Sequence, residues 1–145
     1  MSGIRSRIDD AILLWKEGRQ EGAFLSALIA VAATARKRYP KTNDRECFEK
    51  FLEDSHTVRL SVEYHGECYH IEHIFYKWLR CQLVHEGGIP LDIQFMEEMQ
   101  NGAMSVRAGG APGFVLKIGR GWFHHMIGSV IQAPENADQN PMQKT

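Results

Sequence analysis

Apolar positions recur at helical spacing along most of this chain. Ile8, Ile12, Leu13 and Trp15 put their bulk on one side of a helix over residues 5–16, and Gly18 stops it. A second helix over residues 20–38 carries Ala23, Phe24, Ala27, Leu28, Val31 and Ala35 as a stripe. Ile29, Ala30, Ala32 and Ala33 fill the rest of its circumference, so it belongs at the centre of the domain. Pro40 ends it, after a cationic last turn of Arg36, Lys37 and Arg38 that suits the negative end of a helix dipole. Asn43 followed by Glu46 has the spacing of a capping box, so a third helix starts there and runs to residue 54, burying Phe48, Phe51 and Leu52. Val58, Leu60, Val62 and Tyr64 then alternate with Arg59, Ser61 and Glu63, a period of two that marks an extended segment ended by Gly66.

A fourth helix is expected over residues 69–85, with Ile71, Ile74, Phe75, Trp78, Leu79 and Leu83 on one stripe and Gly87, Gly88 and Pro90 closing it. A short helix over residues 91–99 follows. Residues 105–107 and 114–118 flank the turn AGGAPG and read as a hairpin, and residues 122–131 form a last short helix. The fold expected is mainly α: a four-helix up-down bundle with a small C-terminal β-hairpin and short helix. Residues 1–133 make one domain, and the polar tail 134–145 is expected to be disordered.

Composition narrows the function classes. A length of 145 residues and 43% apolar content support a single core without metal or disulfide. The net charge of −1 excludes a general polyanion binder, so any nucleic-acid contact must come from a local basic patch. Three cysteines, Cys47, Cys68 and Cys81, have no paired spacing and suit a reducing cytoplasm. The most apolar window, Ala23–Ala35, is too short to span a bilayer and contains Ser26 and Thr34, so no membrane partner is expected.

Candidate chemistry concentrates on the fourth helix. Opposite its apolar stripe lie His70, His73, Lys77, Arg80 and Cys81, a face that is either solvated surface or a site. His65, Cys68, His70 and His73 are soft ligands at short spacing, but no CxxC or HExxH accompanies them, so no metal or other cofactor is assigned. The adjacent His124 and His125 read as ordinary surface or packing. There is no GxSxG and no GxxxxGK[ST].

The stretch YKWLRCQLVHEG, with four residues between Arg80 and His85 near a helix end, resembles the signature helix of HEPN domains. The Ala-rich second helix resembles the second helix of such bundles. The resemblance implies a homodimer whose two signature helices form one cleft, and metal-independent RNA cleavage in active members. His85 would then be the acid or base and Arg80 the group that holds phosphate and stabilises charge in the transition state. Cys81, Lys77 and Tyr76 would be auxiliary. Active members usually carry a polar residue directly after the Arg, where this chain has Cys81. Two functions therefore stay open. One is an endoribonuclease, as in a toxin or defence system with an antitoxin-like partner. The other is a non-catalytic module that binds nucleotide, RNA or protein. If the helices run up-down-up-down, the second and fourth are parallel. The basic run Arg36, Lys37, Arg38 and Lys41 would then sit beside Arg80 and His85 as a phosphate-binding surface.

Overall fold

The computed structural model describes residues 3–56, 60–96, 106–107 and 115–139. Within them run helices α1 (Gly3–Lys16), α2 (Gln20–Arg38), α3 (Asp44–Ser55) and α5 (Gly121–Gln132). Helix α4 is continuous through three segments: an α turn Ile71–Ile74, a π segment Phe75–Arg80 and an α segment Cys81–Glu86. Strands β1 (Ser61–Tyr64) and β2 (Glu67–His70) form an antiparallel hairpin. Strands β3 (Ile93–Met96), β4 (Val106–Arg107) and β5 (Leu116–Gly119) form a second sheet in the order β3-β5-β4, parallel between β3 and β5 and antiparallel between β5 and β4.

The local signals behave as their chemistry requires. Asn43 caps α3, its side chain accepting from the Glu46 N–H at 2.8 Å. Helix α2 is buried along most of its length. Its two buried hydroxyls are satisfied: Ser26 Oγ donates to the Arg7 carbonyl at 2.7 Å and Thr34 Oγ1 to the Ala30 carbonyl at 2.8 Å. His65 and Gly66 both take positive φ, 55° and 81°, which closes the two-residue turn between β1 and β2. That hairpin claims Tyr69 and His70 for a strand, so α4 begins at Ile71 rather than residue 69.

The chain is mainly α, but it is not an up-down four-helix bundle. Arg36 pairs with Asp44 at the start of α3, and Arg38 reaches Asp54 at its end, so α3 lies across the C-terminal end of α2. From there α4 runs back along α2 in the opposite direction. Its far end reaches the start of α2, where the Ile89 N–H donates to Glu21 Oε1 at 3.0 Å. Helices α2 and α4 are thus antiparallel, contrary to the expectation.

The C-terminal third completes the core rather than hanging from it. Phe95 of β3 stacks on Phe24 at 4.3 Å between centroids, and Phe123 of α5 stacks on Trp15 at 4.2 Å. Trp122 meets Phe75 edge-on at 5.2 Å. Aromatic pairs like these contribute about 0.5–1.5 kcal/mol each beyond their buried area. Residues 93–96, expected in a helix, form β3 because Ile93–Met96 pair with Leu116–Gly119. β4 and β5 pair as the hairpin reading required. Its AGGAPG turn, residues 108–113, lies outside the described residues, as do 57–59, 97–105 and 140–145. The expected disordered tail is corrected over Pro134–Gln139, a 3-10 helix whose Asn136 is 3% exposed. Asn136 Nδ2 donates to Thr34 Oγ1 at 2.9 Å and to the Val130 carbonyl at 3.0 Å. Among the described residues no helix is long and apolar enough to cross a membrane.

Candidate functional site

The signature residues sit on the last three turns of α4. The π segment Phe75–Arg80 ends at Arg80, with the Cys81 N–H reaching back to the Tyr76 carbonyl. A π turn is wider than an α turn, so positions beyond it rotate away from an even helical wheel. Trp78, inside the π segment, is half-buried at the edge of the core, where it packs edge-on against Tyr64, Tyr69 and His73 at 4.9, 4.9 and 5.7 Å.

The Arg80 guanidinium lies over the Tyr76 ring, 5.5 Å from its centroid. Its Nε is buried and has no hydrogen-bond partner among the described residues. Burial pushes the Tyr76 hydroxyl above its ordinary range, and the neighbouring Cys81 pushes it the same way. Lys77 is exposed and sits 4.8 Å over Trp78. His85 and Val84 are exposed one turn further on, and Cys81 is half-buried.

The second basic cluster is elsewhere. Because α2 and α4 are antiparallel, Arg36, Lys37 and Arg38 stand at the other end of α2, which is about 28 Å long. They are also already occupied. Arg36 pairs with Asp44 and donates to the Thr42 carbonyl. Lys37 reaches Asn136 Oδ1 at 3.4 Å. Arg38 forks onto Glu135 at 2.8 and 3.1 Å and touches Asp54 at 3.4 Å. The Glu135 hydrogen bond raises the Arg38 guanidinium and holds the Glu135 carboxyl below its usual range. The single surface expected from Arg36–Lys41 and Arg80–His85 is not formed within one chain.

The soft-ligand group disperses in the same way. His65 Nε2 lies 2.6 Å from Asp92 Oδ2, His70 Nδ1 3.1 Å from Ser61 Oγ, and His73 Nδ1 2.9 Å from Glu49 Oε2. Among the described residues no group of three His, Cys, Asp or Glu side chains is arranged to hold a metal ion.

A constellation absent from the sequence reading forms where α3, α4 and α5 meet. Glu72, on the core stripe of α4, is 0% exposed, and its Oε2 lies 3.5 Å from His56 Nε2. The His56 side chain is 3% exposed, and its Nδ1 lies 3.2 Å from His125 Nε2. His125 borders a cavity of about 350 Å³ with Arg38, Asp54, Ser55 and Ser129. Burial pushes the His125 imidazole below its ordinary range, and His56 pushes it further down.

A family model described as Rv1289 matches residues 3–144, nearly the whole chain. The chain belongs to the Rv1289 family. No curated protein and no solved structure matches it. The two constellations of this Rv1289-family chain therefore rest on its own geometry: a cationic, aromatic-backed face at one end of α4, and a carboxylate–histidine–histidine row at the other.

Proposed function

We propose that the chain is a binding module that takes single-stranded RNA through the Arg80 face of α4. One observation carries the reading. Arg80 is half-buried, stacked on Tyr76 and unanswered by any carboxylate among the described residues, whereas Arg36 and Arg38 are neutralised by Asp44, Asp54 and Glu135. A guanidinium held in this way keeps its fork for a phosphate, and an exposed base can add stacking. Lys77 and His85 extend the cationic face along the same helix end. An open groove of about 750 Å³ lies at that end, between Arg19–Gly22 and Ile89–Phe95.

Cleavage is the second reading, favoured by the intact Arg80–His85 pair. No second titratable group stands against His85 among the described residues, so acid–base cleavage needs the other copy of a homodimer to supply one.

Fluorescence anisotropy with a labelled single-stranded RNA tests both. The wild type binds at about 50 mM salt and loses affinity with a log–log slope of about −0.7 per phosphate contact. Arg80→Glu weakens binding at least about ten-fold, and Arg36→Glu leaves it nearly unchanged. Equal affinity for wild type and Arg80→Glu ends the proposal. Incubation with structured RNA in EDTA decides between the readings. Cleavage that disappears in His85→Ala replaces the binding module with a nuclease.

A further inference from the structure

Strand β3 lies at an edge of the second sheet, whose order is β3-β5-β4. The register fixes which way its backbone groups point. Ile93 pairs with Leu116 in parallel, and the Leu116 N–H donates to the Asp92 carbonyl at 2.8 Å. Bonding alternates along a parallel ladder, so Gln94 turns both its N–H and its carbonyl toward β5. Ile93 and Phe95 therefore turn theirs outward. The Ile93 N–H is taken by the Pro90 carbonyl at 3.0 Å. The Phe95 N–H and carbonyl have no partner among the described residues. Both groups belong to one residue, which is what an antiparallel neighbour needs for two reciprocal hydrogen bonds.

The groove of about 750 Å³ runs along this edge. Ile93, Gln94 and Phe95 all line it, although successive side chains of a strand point to opposite faces. A groove that meets three consecutive residues follows the edge of the strand and not one face of the sheet. Its far wall is the α1–α2 turn and the start of α2, from Gly18 to Gly22. Leu14, Pro90 and Leu91 make part of it apolar, and Leu91 is 99% exposed. Among the described residues two charged side chains line it, Arg19 and Glu21. Glu21 accepts from the Ile89 N–H at 3.0 Å. Arg19 is exposed, and its side chain has no hydrogen bond or ion pair among the described residues. None of Tyr76, Lys77, Arg80 and His85 lines the groove, so it is separate from the Arg80 face.

We propose that this groove takes an extended, acidic segment of a partner protein, which adds to β3 as an antiparallel strand. The Phe95 N–H and carbonyl hold the backbone of the segment. Its alternate side chains pack on Leu14, Pro90 and Leu91, and one carboxylate meets Arg19. A strand edge matches the donors and acceptors of a peptide backbone, which favours a peptide over RNA here. A second copy of this chain does not fit. It would bring β5 along the other side of its own β3, into the space that the α1–α2 turn occupies. A lone segment has both of its edges free.

The probe is a displayed library of random peptides, panned against the full chain. Enriched sequences should alternate apolar and polar positions and carry Asp or Glu. The strongest of them, synthesised with a fluorescent label, is then measured by anisotropy. Arg19→Glu and Leu91→Glu should each weaken it at least about ten-fold, while Arg80→Glu stays within about two-fold of wild type. Amide hydrogen exchange of the wild type reads strand addition directly and needs no variant. The Phe95 N–H should exchange fast in the free chain and at least about ten-fold more slowly with peptide bound, whereas the Gln94 N–H is protected in both. A library that enriches nothing overturns the proposal. So does a Phe95 N–H already protected in the free chain, or one that bound peptide leaves unchanged. Single-stranded RNA that protects the Phe95 N–H and loses affinity in Arg19→Glu would give the groove to RNA instead. A dimer in sedimentation whose formation protects that N–H would give it to a second copy. Either result also overturns the proposal.

Discussion

Replacing Asn136 by alanine removes two buried hydrogen bonds and the longer contact from Lys37 Nζ to Oδ1 at 3.4 Å, while Lys37 keeps the Glu135 carbonyl. The Asn136 amide nitrogen donates to Thr34 Oγ1 and to the Val130 carbonyl, across 102 and 6 residues of sequence. Neither acceptor is orphaned by the change. Thr34 Oγ1 still donates to the Ala30 carbonyl, and the Val130 carbonyl still accepts from the Ala133 N–H at 3.3 Å. The cost is therefore the net worth of two neutral bonds, about 2 kcal/mol in all, without a further desolvation penalty. For a chain of this size that lowers Tm by about 4–8 °C. Urea unfolding should show a lower midpoint at an unchanged slope. Asn136→Asp should be worse at neutral pH, because a carboxylate facing the Val130 carbonyl can only accept, and the deficit should shrink on acidification. A loss below about 0.5 kcal/mol in Asn136→Ala would refute the reasoning and release the Pro134–Gln139 turn from the core.

Glu135 supplies a pH dependence. Its carboxyl is held below the usual carboxylate range, chiefly by the Arg38 hydrogen bond. A depressed folded-state value means that the unfolded chain binds the proton more readily. The stabilisation is then complete above the ordinary carboxylate range and is lost as pH falls through the folded value. Thermal melts between about pH 7 and about pH 3 should show a shallower acid slope for Glu135→Gln than for wild type; identical slopes contradict the pairing. Gly87 ends α4 at φ +80° with no atom near an added Cβ, so Gly87→Ala should cost about 1 kcal/mol from backbone strain alone. Denaturant unfolding checks it, and an unchanged stability would mean that the left-handed cap is not kept.

The local elements were legible because their determinants are local. The all-round apolar α2 with its Pro40 stop, and the Asn43–Glu46 cap of α3, lie within a few residues of what they determine. The direction of α4 was not legible. It depends on α3 crossing the end of α2 and on the intervening β1–β2 hairpin, whose second strand is too exposed to show alternation. The candidate residues Arg80 and His85 were readable as a helix-end face. Their separation from Arg36–Arg38 was not, because it follows from helix direction. Glu72 did leave a signal: an acid inside the apolar run IEHIF. The link from His56 to His125 left none, because 69 residues separate two histidines that meet only after folding.

The closure by Asn136 also bears on the order of events during synthesis. Thr34 sits in the last third of α2 and emerges early, yet its partner is 102 residues later. Arg38 waits 97 residues for Glu135. Helices α1 to α3 can associate first, but Phe24 lacks its cover until Phe95 and Phe123 have been made. The nascent chain therefore spends most of its translation with a sticky, incomplete centre, and a chaperone-held intermediate ending before residue 136 is the species to expect when elongation stalls.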